Sequence, residues 1–432
     1  MESLWTQTAR LSEFEPLSEN IRVDVLVIGG GMAGLLCAWQ LTQAGIDCAL
    51  VEADRLCSGV TKNTTAKITA QHGLIYSKLI QMFGIEKARL YLQANLWAVE
   101  RYRELCSNLA CDFEAQDSYV YSRTGSEEIE KEMDALDKLG YKAHHLTQLP
   151  LPFSVAGAVC FGNQGQFHPL KFASEIGKKL RIFEHTKVLE FAPGRVRTTG
   201  GMISAEKIII ATHFPILNKH GGYFLKLYQH RSYVLALKDA PKIKGMYVDE
   251  AKTGLSFRHY DDLLLLGGGS HRTGKQGGNW DELEQFANEY FPKAKIVTKW
   301  ATQDCMTLDG VPYIGRYAER TPDLYVATGF NKWGMTSSMV AAEILCDLVQ
   351  GRENVWSEVF TPSRTSLRTQ LAINAAEATM SFLTPTTPRC PHMGCALKYN
   401  TVEDSWDCPC HGSRFTCEGK LIDNPATDDK RL

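Results

Sequence analysis

The chain has 432 residues, enough for two or three domains with a sizeable core. It is 44% hydrophobic and 22% charged, with a formal net charge of −2, which gives no reason to expect nucleic acid or an anionic membrane as partner. No apolar run approaches the roughly 18 residues of a membrane span, and the first 21 residues contain acids and lack a signal peptide's apolar core, so a cytoplasmic location is expected.

Residues 1–21 are polar and read as an extended arm. Val23–Ile28 is a continuous apolar, β-branched run, as in a parallel strand buried on both faces. Gly29, Gly31 and Gly34 follow at G-x-G-x-x-G spacing and open an apolar helical segment, Met32–Ala44, stopped by Gly45. Ile46–Val51 is a second strand, and Glu52 closes it 18 residues after Gly34. This order is that of a dinucleotide site. Gly29 permits the turn, Gly31 lets the backbone approach a pyrophosphate, and Gly34 lets helix pack on strand. The helix N-terminus offers N–H groups to phosphate, and Glu52 can accept from an adenosine ribose. Up to this point NAD and FAD are equally compatible.

The hydroxyl-rich loop Ser58–Lys67 comes next, where hydroxyls and backbone N–H groups could reach phosphate and ring. Ser77–Leu109 reads as helical. A capping-box spacing at Thr124–Glu127 precedes another helix that Gly140 stops. His168 stands in a turn before a further helix, a structural place for it. Glu206–Thr212 is again a buried strand. Tyr228–Leu237 and Tyr247–Gly269 form short alternating runs, expected to build an antiparallel sheet apart from the parallel one. Leu324–Thr328 is a last strand, entering Gly329–Thr336 and then an apolar helix to about Val349. The parallel sheet is thus begun early, resumed near 185–212 and closed near 324–349, with a second domain inserted into it. The expected division is 22–80, 150–225 and 306–358 for the dinucleotide domain and 81–149 with 226–305 for the substrate domain. A Thr/Pro-rich linker, 359–388, leads to a small domain at 389–432.

VDVLVIGGGMAGLLCAWQL…ALVE, the IIIAT strand, Asp309–Gly315 (DGVPYIG) and LYVATGFNKWGMT together resemble the D-amino-acid-oxidase-like FAD oxidoreductases, which include glycine and sarcosine oxidases, over about residues 20–350. The resemblance implies a Rossmann-like α/β FAD domain interleaved with an antiparallel substrate domain. It implies FAD contacts from Gly29, Gly31, Met32, Ala33, Gly34, Glu52 and Ala53, from Thr64, Thr65 and Ala66, from Val188, and from Gly329, Gly334, Met335 and Thr336. A helix N-terminus at Gly334 would favour negative charge on a reduced flavin. Arg258, on a strand of the inserted sheet, could clamp a substrate carboxylate in the manner of amino-acid-using members; a solvent-facing arginine is the competing reading. Thr336 stands where sarcosine oxidases carry a lysine, a departure from their carboxylate site.

Of 13 cysteines, eight are scattered before residue 347, as in a reduced cytosolic enzyme, and five crowd into residues 390–417. Residues 390–415 read C-x-H, fifteen residues, then C-x-x-H. Four such ligands also suit zinc, but the C-x-H…C-P-C-H-G-S form closely resembles the Rieske [2Fe-2S] signature. The match implies that Cys390 and Cys408 bind one iron and His392 and His411 the other. It also implies that Cys395 and Cys410 form a loop-tying disulfide. Ser413 matches a serine donor to the cluster, whereas Phe415 replaces a tyrosine donor, which lowers the expected potential below the respiratory type. Few residues precede the first ligand loop, so the base of this β domain reads as abbreviated: either its loops rest on the flavoprotein body or the cluster is labile.

The combined expectation is an FAD-dependent oxidoreductase that oxidises a C–N bond of an amine or amino acid and exchanges electrons through the cluster with an external acceptor or donor. Two other readings compete with it: an O2-using oxidase with a vestigial or structural cluster, and a non-catalytic redox sensor.

Overall fold

The computed structural model describes residues 2–217, 220–251, 254–364 and 388–430. Two large sheets and one small one organise them. The first is parallel at its heart, with spatial order Ile182–Phe183, Cys48–Val51, Ile21–Ile28, Met202–Ile210 and Leu324–Thr328, and Tyr313–Arg316 closes one edge antiparallel. Val25, Leu26 and Val27 are almost wholly buried, as a β-branched run covered on both faces must be. The helices Met32–Gln43 and Gly334–Val349 share one apolar core over this sheet.

The second sheet runs Lys295–Thr307, Leu227–Lys238, Leu263–Arg272, Ser256–Tyr260, Met246–Asp249, Glu114–Ser122, Gly157–Gln166 and Lys67–Ile68. It is antiparallel except where Met246–Asp249 meets Glu114–Ser122. One face is covered by the helix Trp280–Tyr290 and an aromatic group around Phe153, Phe257 and Phe286. Two sequence expectations change here. Gly157–Gln166, assigned to the dinucleotide domain, is an inner strand of the second sheet; its nearly continuous burial suits either sheet, and pairing with Glu114–Ser122 decides. The N-terminal arm is not simply extended: Leu4–Thr8 is a short helix with Leu4 and Trp5 buried, and Trp5 Nε1 donates to the Thr64 carbonyl at 2.6 Å.

The C-terminal domain is a four-stranded antiparallel meander, Lys398–Asn400, Ser405–Asp407, Arg414–Thr416 and Leu421–Asp423. Among the described residues all four strands follow the first Cys/His loop, and only the Arg389–Ala396 bridge precedes them. Most of the expected linker, 365–387, lies outside the described residues. Its entry is tied down by Arg364, whose Nε and Nη2 donate to the two carboxylate oxygens of Asp309 at 2.8 and 3.0 Å.

Candidate active site and cluster loops

The glycine turn has the geometry its spacing predicts. Gly29 has φ +106°, and a Cβ there would lie 2.6 Å from the Ala211 carbonyl oxygen. A Cβ on Gly34 would fall 1.9 Å from the Gly29 oxygen, so only glycine lets helix and strand approach this closely. Around Gly31 the space is open, the nearest atom to a Cβ being Thr61 Oγ1 at 3.6 Å. Glu52 stands beside the turn and accepts from the Gly30 amide at 2.6 Å and the Asp54 amide at 3.0 Å. Burial raises its carboxyl above the usual range, with the amide hydrogen bonds opposing. Ala53 is exposed next to it. The Thr186 amide donates to the Glu52 carbonyl at 2.8 Å, so the chain entering the Val188–Ala192 strand runs past the acid. Val188 itself borders a separate groove rather than the cleft between the two large sheets.

The cleft between the two large sheets, about 530 Å³, lies between the open face of the second sheet and the segments 64–67 and 331–335. Thr64, Thr65, Gly334 and Met335 line it, while Ala66 and Thr336 are buried just behind. Gly329 sits beneath, with φ +72° and room for no Cβ, since Thr307 Cγ2 would be 2.3 Å away. Asn331 and Lys332 follow with φ +51° and +73°, two left-handed non-glycine residues in succession. Asn331 is held there by the Thr307 amide, which donates to Oδ1 at 2.7 Å, and by its own Nδ2, which donates to the Gly329 carbonyl at 2.7 Å.

Several lining groups escaped sequence reasoning. His72 Nε2 meets Thr336 Oγ1 at 2.9 Å, its Nδ1 meets Tyr91 Oη at 2.7 Å, and its ring stacks on Trp333. Burial pulls the imidazole down to about 3, so it is neutral. Loss of hydration on burial, and then the Arg258 charge, pull the Lys67 ammonium down to about 7. Lys332 donates to Ser270 Oγ at the cleft wall. Asp304, Tyr228, His230 and Arg272 complete that side.

Arg258 requires correction. Ser256, two residues earlier, does face the cleft, but Arg258 does not line it. Its Nη1 donates to the Thr65 and Ala66 carbonyls at 2.7 and 2.9 Å, and its guanidinium lies 5.5 Å from the Trp5 ring centroid. The N-terminal helix thus roofs the far end of this strand, and Arg258 pins the 64–66 segment instead of a substrate. His168 is structural, as expected: its Nδ1 accepts from the Lys171 amide at the start of the Pro169–Gly177 helix.

In the C-terminal domain the two Cys/His loops meet. Cys390 is pulled down to about 7 by a hydrogen bond from Cys408, opposed by burial and aided by Ser413. The rings of His392 and His411 stand perpendicular, with centroids 5.1 Å apart. Burial lowers His392 to about 4 and His411 to about 3, keeping both imidazoles in the neutral form a metal requires. His411 Nδ1 is buried with no hydrogen-bond partner among the described residues. Two cysteines, two neutral histidines and an unsatisfied ring nitrogen are a donor set that fits a two-iron centre. Cys395 and Cys410 close the loops on each other, with Cα atoms 6.7 Å apart. Phe415 is fully buried in the same small core.

The cluster loops rest on the flavoprotein body. His411 is 4% exposed, and Phe214 and Phe224 each present a ring edge to it about 6.3 Å away. The strands between these loops and the cleft serve both sides by their period of two. On Leu227–Lys238, Tyr228, His230 and Ser232 face the cleft, whereas Gln229 Nε2 donates to the Asn424 carbonyl at 2.8 Å and Arg231 pairs with Glu403. On Lys295–Thr307, Asp304 and Met306 face the cleft, while Gln303 Nε2 donates to the Gly412 carbonyl at 2.9 Å. One sheet layer separates the two sites.

Comparison with known proteins agrees with this architecture. Residues 24–348 match the family model for DAO, FAD dependent oxidoreductase, and residues 364–431 match the Rieske [2Fe-2S] domain. The chain is 34% identical to a protein of Bacillus subtilis (strain 168) named as a Rieske 2Fe-2S iron-sulfur protein, YhfW, over 98% of this chain and 96% of that one. It is 23% identical to gamma-glutamylputrescine oxidoreductase of Escherichia coli (strain K12), over 79% of this chain and 87% of that protein. Glycine oxidase from Geobacillus kaustophilus has the same fold, with TM-score 0.68 and 21% identity over 80% of this chain and 99% of that one. The chain therefore belongs to the FAD dependent oxidoreductase family and adds to it a C-terminal Rieske domain, so that its cofactors are FAD and a [2Fe-2S] cluster.

Proposed function

We propose that this enzyme oxidises a C–N bond of a small amine or amino acid at FAD and passes the electrons, one at a time, through the Rieske centre to an external acceptor. When bound, FAD supplies the two-electron chemistry and the cluster a one-electron outlet. Gly29, Gly31, Met32, Ala33 and Gly34 cradle the pyrophosphate at the helix N-terminus. Glu52 and Ala53 take the ribose, and the backbone at Val188 flanks the adenosine end. Thr64, Thr65 and Ala66 on one side, with Gly329, Gly334, Met335 and Thr336 on the other, hold the ring, and the Gly334–Val349 helix N-terminus favours negative charge there. Cys390 and Cys408 hold one iron, His392 and His411 the other, and a Cys395–Cys410 disulfide ties the loops. Arg272 and Lys332, the latter's pKa lowered by burial and supported by Asp304, are cations on the cleft wall that an anionic substrate group could meet.

The observation behind the relay is the shared wall: alternate residues of the same strands face the cleft and the cluster loops. Such a partition is on the order of 10 Å thick, and the histidine end of the cluster site is docked rather than turned to solvent. Anaerobic titration of the holoprotein with amines and amino acids, followed by visible absorbance and electron spin resonance, tests the proposal. Flavin bleaching should be accompanied by the signal of a reduced cluster. Fast peroxide formation in air that is unchanged in His392→Ala would sink the relay and favour an oxidase that uses O2 directly.

A further inference from the structure

One side chain joins the cleft to the cluster loop. Arg272 ends the Leu263–Arg272 strand and lines the cleft beside Tyr228 and Lys332. Its Nη2 donates to the Cys410 carbonyl at 3.2 Å. That carbonyl belongs to the peptide group whose nitrogen is His411's own, so the guanidinium is one hydrogen bond from the backbone of a proposed iron ligand. On the cleft side the guanidinium lies 5.1 Å from the Tyr228 ring centroid, and Tyr228 meets the His230 ring edge-on at 5.4 Å. The turn after Arg272 is pressed on the same loop: Gly274 has φ +73°, and a Cβ on it would lie 2.7 Å from Pro409 Cα and N. Gly412, on the far side of His411, is pressed equally closely on Gln229, where a Cβ would lie 2.6 Å from the Gln229 Cβ. The loop is thereby fixed in place, and Arg272 is held against it by its own strand end.

We propose that Arg272, with Tyr228 beneath it, is the link through which electrons cross between the flavin cleft and the cluster. This rests on the relay reading above. No bond is made or broken at Arg272, and each crossing moves one electron. Two crossings match the two electrons released when a C–N single bond is oxidised to C=N at the flavin, and both protons pass to solvent as the electrons leave. An external one-electron acceptor takes each electron on from the cluster. Arg272 is a positioning residue in this scheme. Packing at Gly274 and Gly412 fixes the loop, and Arg272 bridges its Cys410 carbonyl to the cleft wall beside Tyr228. The bonds across this wall from Gln303, Gln229, Arg231 and Tyr233 end instead on Gly412, Asn424 and Glu403, away from the ligand peptide.

The test uses the anaerobic holoprotein, its flavin reduced by a light flash with a deazaflavin donor and the cluster followed by visible absorbance and freeze-quenched electron spin resonance. Arg272→Met should slow flavin-to-cluster exchange by about tenfold or more, with the cluster's resonance line shape and the amide exchange of residues 408–413 unchanged. Arg272→Lys should recover only part of the rate, because an ammonium lacks the planar fork that can meet the Tyr228 ring and reach the carbonyl at once. Gln303→Leu, which removes the neighbouring bond to the Gly412 carbonyl, should slow exchange far less. Exchange in Arg272→Met equal to that of the unsubstituted protein overturns the link, as does equal slowing by Gln303→Leu. Slowing with an altered line shape or a loosened loop makes Arg272 a docking residue only and overturns it too. Absence of exchange in the unsubstituted protein overturns the relay itself, and this link with it.

Discussion

Arg231, on a strand of the flavoprotein body, and Glu403, in the Rieske domain, pair fork to fork: Nε donates to Oε1 at 3.0 Å and Nη2 to Oε2. Their side chains are 4% and 9% exposed. Arg414 shares Glu403 from the other side and also pairs with Asp407 and Asp423, and Tyr233 Oη donates to Glu403 at 3.1 Å. Burial alone would raise the Glu403 carboxyl, but the charges of Arg231 and then Arg414 hold it below the usual carboxylate range. A charge network buried this deeply sets the position of one domain on the other more than it adds net stability.

Arg231→Ala should therefore release the Rieske domain. It strands part of a buried charge, at a cost of about 3 kcal/mol or less because Arg414 still partners Glu403. Faster amide exchange across residues 403–414 and earlier proteolytic cutting near 388 would report the release. Acid should act in the same direction. A carboxylate held low in the folded state contributes stability above its unfolded pKa and loses that contribution as pH falls through the folded value. Docking that survives Arg231→Ala with unchanged exchange would show the network to be incidental.

Two alanine substitutions in the same turn should separate folding from cofactor binding. Gly34→Ala drives a methyl into the Gly29 carbonyl, 1.9 Å away on backbone that cannot yield, and should cost about 3 kcal/mol of stability. Gly31→Ala meets only Thr61 Oγ1 at 3.6 Å, so the fold should persist while the methyl fills the approach left for a pyrophosphate. Thermal unfolding and flavin content, measured on both, should move in opposite proportions. Full flavin in Gly31→Ala would remove that residue from the site.

These glycines and the Cys/His loops were legible because each is a local pattern whose spacing states its chemistry. Arg258 was not. The alternation of its strand gave the right face, as Ser256 shows, but nothing near residue 258 indicates that Trp5 and the 64–66 carbonyls cover it. Arg272 and Tyr228 were overlooked for a related reason: their importance comes from a domain more than a hundred residues later that happens to dock on the reverse of their sheet. Residues 157–166 fall in the piece expected of the dinucleotide domain yet form an inner strand of the second sheet, because burial on both faces reads alike in either. Periodicity identifies faces; only tertiary pairing says what covers them.

Lys67 offers a pH test with a definite sign. Its folded value is about 7, against 10.5 for an ordinary lysine, so between those limits the unfolded chain holds a proton that the folded one lacks. Stability should then rise with pH over that window, relative to a chain without the amine. The thermal midpoint of the parent minus that of Lys67→Met should grow from pH 7 to pH 10.5, the window set by those two values. A flat difference would mean that Lys67 keeps its charge against a neighbouring anion, the bound cofactor being the nearest candidate.

The cluster potential should answer to residue 415. Phe415 is completely buried in the core that contains Cys390 and Cys408, and the Rieske resemblance puts it where respiratory members carry a tyrosine donor. Ser413 remains as a side-chain donor to Cys390. Hydrogen bonds to ligand sulfur withdraw electron density and stabilise the reduced, more negative cluster, so each one added raises the potential. Phe415→Tyr puts a phenol where no water can satisfy it, and the ligand sulfur is the acceptor that would relieve its burial. The expected result is a higher midpoint in a redox titration followed by visible absorbance, with Phe415→Leu leaving it nearly unchanged. A potential unmoved by Phe415→Tyr in a cluster of normal line shape would mean the new hydroxyl has turned away from the sulfur, and that some group other than residue 415 tunes this centre.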